Sequence, residues 1–234
     1  MDEANPVFVS ESDMTVPVAR WMRSAGMAVR SEFVTPWGMC DLVGISLNRE
    51  KVARRLDQKQ TRAIGSITRS ALLLQIPDVE EGEWTTLTRL VRRFGPSVPA
   101  GVVSEQIERL IAERFVISSS RGRLQKLNGW IPLQDRLVAV ELKLCRIEEA
   151  MHQALSNLGF AEESYVAFPS DVARRVDANA ARWSRSFNAG VGLLSVTKRG
   201  CKVLVPAHKA RHPGDNAIQF YCVEKFWRTH VRGS

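Results

Sequence analysis

With 234 residues, 44% of them hydrophobic and 25% charged, the chain has the make-up of an ordinary globular protein, long enough for one large domain or two small ones. Its formal charge of +8 and pI near 9.7 favour a polyanionic partner, nucleic acid before an acidic membrane surface. No apolar run has the length of a membrane span, and the acidic start MDEANPVFVSESD, broken by Pro6, does not read as a signal peptide. Cys40, Cys145, Cys201 and Cys222 are too scattered for a disulfide frame or a zinc site, so a reducing, cytoplasmic setting is expected.

In chain order, the first block runs to about Asn48. Asp13 or Thr15 can cap a helix carrying Val16, Ala19, Trp21, Met22 and Ala25, closed by Gly26. AVRSEFVTPWGMCDLVGISLN then alternates apolar and polar residues about a Pro36/Gly38 turn, which predicts two paired strands.

The second block, 49–128, changes character. REKVARRLDQKQTRAIGSITRSALLLQ predicts one long basic helix. WTTLTRLVRRF and GVVSEQIERLIAERF predict two more, with Leu87, Leu90 and Val91 and then Val103, Ile107, Leu110 and Ile111 at helical spacing. FVISSSRGRLQKL predicts a hairpin turning at Ser120-Arg121-Gly122. Three helices and a hairpin are the order of a winged helix-turn-helix. From Arg49 to Lys126 there are 15 Lys and Arg against 9 Asp and Glu, so +6 of the +8 sits in this block. Arg89, Arg92, Arg93, Arg109, Arg121, Arg123 and Lys126 are the candidate phosphate contacts, giving affinity more than sequence reading. Glu105, Glu108 and Glu113 on the third helix weigh against them.

The third block, 129–234, alternates strand and helix: RLVAVELKL, RIEEAMHQALSNLGF, SYVAFP, SDVARRVDANAARW, then GVGLLSVTKRGCKVLVPA as a strand followed by a hairpin. The alternation predicts an α/β domain with largely buried strands.

The chemistry gathers around Asp41 and the run Val140-Glu141-Leu142-Lys143. Residues two apart on a strand share a face, so Glu141 and Lys143 look one way and Leu142 the other. An acid and an amine on a buried strand are costly unless paired or used. With Asp41 arriving from a neighbouring strand, two carboxylates and the Leu142 carbonyl would offer the hard oxygen ligands that Mg²⁺ prefers.

This ordered set, with Gln153 on the following helix and then the strand SYVAFP, resembles the PD-(D/E)XK nuclease superfamily, which includes restriction endonucleases and Holliday-junction resolvases. The resemblance spans the outer blocks 1–48 and 129–234, with block 49–128 as an inserted winged helix filling the gap between Asp41 and Glu141. Cys40 stands where the motif carries Pro. The resemblance implies a restriction-endonuclease-like core, a mixed central sheet flanked by helices, and a metal-dependent DNA endonuclease acting on duplex or structured DNA. Asp41 and Glu141 would bind Mg²⁺, with Mn²⁺ able to substitute; Glu32 is an additional candidate ligand and Glu11 a further one. Lys143 would assist the attacking water and Gln153 would support the site. The setting implied is prokaryotic or phage-type and nucleoid-associated, and a homodimer would suit cutting of both strands. The alternative is a catalytically silent DNA-binding or scaffold protein that keeps the nuclease fold; a nuclease for RNA or branched DNA would share the same site.

Overall fold

The computed structural model describes residues 8–127, 132–209 and 216–230. In chain order its elements are α1 (Thr15–Ser24), β1 (Ala28–Thr35), β2 (Gly38–Leu47), α2 (Arg49–Asp57), α3 (Ile67–Gln75), β3 (Thr85–Thr86), α4 (Leu87–Phe94), α5 (Ala100–Ala112), β4 (Val116–Ser118) and β5 (Arg123–Lys126). They continue with β6 (Gln134–Leu142), α6 (Ile147–Asn157), β7 (Glu163–Pro169), α7 (Ser170–Ala178), α8 (Ser184–Asn188), β8 (Val191–Thr197), β9 (Gly200–Val205) and α9 (Asn216–His230).

The chain forms two units, 1–47 with 134–215 and 48–133 with 216–234. The first is α/β, with a mixed sheet in the order β1-β2-β6-β7-β8-β9. β6, β7 and β8 run parallel; β1, β2 and β9 are joined antiparallel to their neighbours. Alternation along the central strands supplies both faces of the core. Val138, Val140 and Leu142 of β6, with Tyr165 and Ala167 of β7, pack against Val18 and Met22 of α1. Val166 and Phe168 meet Met151 and Ala154 of α6 and Val172 and Val176 of α7. Gly44 lets α1 come close: a Cβ there would lie 2.6 Å from Met22 Cε.

The second unit is spliced in where β2 and β6 would otherwise form a hairpin. Leu47 and Gln134, the last and first residues of the two strands, are register partners. The two chain ends thus lie side by side in the sheet, and the excursion between them leaves only a register shift between Ser46 and Leu47. Its core holds Leu72, Leu73 and Ile76 of α3, Leu90 of α4, Val103, Ile107 and Leu110 of α5, Phe115, and Phe220 of α9. A three-stranded sheet in the order β3-β5-β4 flanks these helices.

Three local expectations differ from the structure. The long basic helix is two helices: Asn48 caps α2 by accepting from the Lys51 N–H at 3.0 Å, Lys59 turns the chain at φ 58°, and Ser66 caps α3. A side-chain cap at each start and a left-handed residue between them outweigh the helical propensity of the basic run. Thr85 and Thr86 begin the second predicted helix as a strand pairing with β5, and Thr86 caps α4. Finally, α9 belongs to the second unit, whereas the strand–helix alternation of 129–234 predicts that the whole of this block lies in the core.

Candidate active site

β2 and β6 pair antiparallel through Leu42↔Val140, a register that sets Asp41 across from Glu141 at the end of the ladder. The Leu142 N–H donates to Asp41 Oδ2 at 2.7 Å, which fixes that carboxylate to the neighbouring strand. Glu141 is buried, at 2% exposure, on the sheet face opposite Val140 and Leu142. Its Oε1 accepts from the Asn157 Nδ2–H at 2.6 Å, and the same amide lies 3.5 Å from Cys40 Sγ.

Burial raises the Glu141 carboxyl to about 7, the negative charge of Asp41 pushing the same way and the donors Asn157 and Cys40, with Lys143, opposing it. The Cys40 thiol is held well above its ordinary value, first by burial and then by the charge of Glu141. Cys40 is therefore a neutral thiol donor in the wall of the site, not a thiolate.

Lys143, just past the end of β6, is 5% exposed. Its Nζ lies 3.7 Å from Glu11 and 3.8 Å from Glu149, so the amine is held between two partly exposed acids. Glu11 also accepts from Arg146, and thus serves as an orienting partner of the lysine. Gln153 lines an open pocket of about 530 Å³ together with Glu141, Asn157, Thr35, Trp37 and Met39. The Gln153 Oε1 is buried and, among the described residues, has no hydrogen-bond partner. Trp37 and Met39, at the tip of the β1–β2 hairpin, are 46% and 58% exposed.

No protein-family model, curated protein or solved structure matches this chain.

Asp41 and Glu141 stand across from one another in the β2–β6 register, each with one oxygen engaged by an N–H donor, and Glu141 shares its pocket with the Gln153 Oε1. This donor set fits a hard divalent cation, which would relieve the repulsion between Asp41 and Glu141. Among the described residues, no three His, Cys, Asp or Glu side chains gather as a metal cage. Two carboxylates suffice for Mg²⁺, which keeps several waters. Glu32 is exposed on β1 across from Asp41, and its φ of 50° interrupts the pairing between Ser31↔Leu42 and Phe33↔Cys40.

In the second unit, Arg89, Arg92 and Arg93 are exposed on α4, and Arg121 is exposed in the β4–β5 turn, where Gly122 takes φ 69°. Arg109 is exposed on α5 and pairs with Glu105 at 2.6 Å; Arg123 is exposed and stacks over Trp84 at 5.2 Å. Lys126 departs from the expectation of a phosphate contact. It is 8% exposed on β5, and burial lowers its ammonium below the usual lysine range despite the nearby charges of Asp78 and Glu81.

Asn157 is a site residue that the sequence alone does not single out. The signal that could have found it is its spacing: four residues after Gln153, it lies on the same helical face.

Proposed function

We propose that the chain is a metal-dependent DNA endonuclease of the PD-(D/E)XK kind, in which the inserted unit is a winged helix that contacts DNA. The observation that carries the cleavage reading is the meeting of Asp41 and Glu141 on adjacent strands with Lys143 two residues further on. Three features support the winged-helix reading: the order α3, β3, α4, α5, β4, β5, the sheet order β3-β5-β4, and exposed arginines on α4, α5 and the hairpin.

Asp41 and Glu141, with the Leu142 carbonyl, would hold Mg²⁺ or Mn²⁺. Bound there, the ion supplies a water of lowered pKa and neutralises charge on the scissile phosphate. The roles of the chain itself are separate. Leu142 N–H and Asn157 fix the two carboxylates in place. The Gln153 Oε1, a buried acceptor in the same pocket as Glu141, would accept a hydrogen bond from the attacking water and orient it. Lys143, held by Glu11 and Glu149, brings a positive charge to the phosphate as negative charge develops.

The test is incubation of supercoiled plasmid with the purified protein in Mg²⁺, Mn²⁺ or chelator, beside Asp41→Ala and Lys143→Ala. Nicking or linearisation that needs metal and is lost in both variants is the expected result. Cleavage that survives both substitutions would overturn the assignment. Salt-sensitive DNA binding without product in any metal would favour the catalytically silent reading.

A further inference from the structure

The second unit contains a basic pocket remote in sequence from the nuclease residues. It has a volume of about 480 Å³ and is walled by Lys59, Thr61, Arg62, Arg109, Glu113 and Arg114. Glu113, the one acid, is committed to Arg69 at 3.0 Å, and Arg69 also donates to Gln106 at 2.9 Å. Arg109 shares Glu105. Among the described residues, Lys59, Arg62 and Arg114 have no carboxylate partner. Three exposed cations thus border one concavity without compensation.

The ordinary explanation of basic residues at helix ends is that they offset the negative pole of the helix. Here the last-turn carbonyls already have backbone partners: Arg54, Arg55 and Leu56 accept from the N–H groups of Gln58, Gln60 and Lys59, and Arg109, Leu110 and Ile111 from those of Glu113, Phe115 and Arg114. The outward-turned cations are not the groups that satisfy this corner, because its backbone acceptors are capped from inside. Arg55 donates to the Gln60 carbonyl at 3.2 Å and to the Arg62 carbonyl at 2.8 Å. The Trp227 indole N–H reaches the Thr61 carbonyl at 3.2 Å, and the Gln60 amide reaches the Arg114 carbonyl at 2.8 Å. With these four acceptors occupied, the rim presents Lys59, Arg62 and Arg114 beside the Glu113 carboxylate that Arg69 engages.

Backbone conformation adds an independent argument. Lys59 follows α2 at φ 58° and Arg114 follows α5 at φ 64°. This left-handed position after a helix strongly favours glycine, since a Cβ is strained there. Both helices end instead on a long cation, and the fully buried Gln60 amide ties the two turns together at the same pocket. Strain retained twice, at the two residues that border one pocket, suits a binding role better than a folding role.

We infer that the pocket holds a phosphate group of a polynucleotide, bound by Lys59, Arg62 and Arg114 with the Thr61 hydroxyl. The inference rests on the reading that this unit meets nucleic acid, and it is independent of the cleavage chemistry. Three cations and a hydroxyl match the tetrahedral anion, and an arginine can address two of its oxygens at once. The group recognised is either an internal backbone phosphate or a terminal one.

The experiment uses the full chain in chelator, so that no cutting occurs, and measures binding of a labelled duplex of about 20 base pairs between roughly 50 and 200 mM salt. The duplex carries either 5′-phosphate or 5′-hydroxyl ends. Arg62→Ala/Arg114→Ala is expected to weaken binding about tenfold and to lower the slope of log affinity against log salt by about 2, one for each arginine removed. Equal losses on both duplexes identify a backbone phosphate, and a loss confined to the phosphorylated ends identifies a terminal one. Lys59→Gly and Arg114→Gly separate binding from folding: each is expected to raise Tm while weakening the duplex complex. If the duplex binds but the double variant and both glycine variants bind it like the parent, the pocket assignment fails and the wider reading of DNA contact survives. If the parent chain binds no duplex at any salt, both fail together.

Discussion

Asn157 donates its side-chain amide to Glu141 at 2.6 Å across the gap between α6 and β6, and this single bond fixes the orientation of the most deeply buried carboxylate of the site. It also lowers the cost of ionising Glu141, against burial and the charge of Asp41. Asn157→Ala should therefore do two things. Cleavage should fall by about 10–100-fold, as expected when a group that orients a metal-binding carboxylate is removed. The ascending limb of the pH–rate profile should also move to higher pH, because the carboxylate gives up its proton less readily. A rate loss with an unmoved profile would make Asn157 a packing residue only.

The raised Glu141 carboxyl makes stability depend on pH in a direction opposite to the usual acid denaturation. Below about pH 4.5 the group is protonated whether the chain is folded or not, and it contributes no difference. Between there and about 7 the unfolded chain releases the proton and the folded chain keeps it, so stability falls as pH rises. Above that window the penalty is constant, at most about 3 kcal/mol. Glu141→Gln should remove this slope and make the metal-free protein more stable than the parent at pH 8, yet inactive. Urea midpoints at pH 5 and pH 8 in chelator measure it; parallel behaviour of the two proteins would show that Glu141 ionises normally.

The strands of the first unit are legible in the sequence because period-two alternation and short turns mark them, and the register of β2 with β6 then sets residues 41 and 141 across from one another. The pairing of Leu47 with Gln134 is a long-range fact that no local pattern carries. Asn157 is illegible for a related reason: an Asn on an amphipathic helix looks like a solvated residue until the strand beneath it is known to carry an acid. The basic block misleads more directly. Lys126 reads as a phosphate contact, whereas it is buried on a strand beside Asp78, and Arg55, within the same basic run, is buried against Glu224. Charge count locates a basic unit, but it does not tell which cations face solvent.

Gln153 presents a buried Oε1 that has no partner among the described residues, an arrangement that costs roughly 1–3 kcal/mol if water does not reach it. Gln153→Met keeps the shape and removes the acceptor. The variant should be more stable by about 1 kcal/mol and should cut more slowly by about tenfold, since the group meant to orient the water is gone. Chemical denaturation and single-turnover cleavage on the same preparations decide it. A variant that is less stable and equally active would assign Gln153 to packing.

Glu224 ties α9 to the rest of the second unit, although the order of elements in the sequence points to the core for this segment. It is 1% exposed, accepts from the Arg55 guanidinium through Oε2 at 2.8 Å, and accepts from the Ile64 N–H at 2.7 Å. Arg55 is sandwiched as well, its guanidinium 4.3 Å from the Trp227 ring and 5.1 Å from that of Phe115. Removing one partner strands the other charge in an apolar setting. Glu224→Ala should therefore cost about 3–5 kcal/mol, whereas Arg55→Met/Glu224→Met, which leaves no charge behind, should cost distinctly less than the two single changes added together. Urea unfolding of the parent, the two single Met variants and the double variant closes the cycle. Additive effects would mean that the pair is solvated and that α9 is held by its apolar side chains alone.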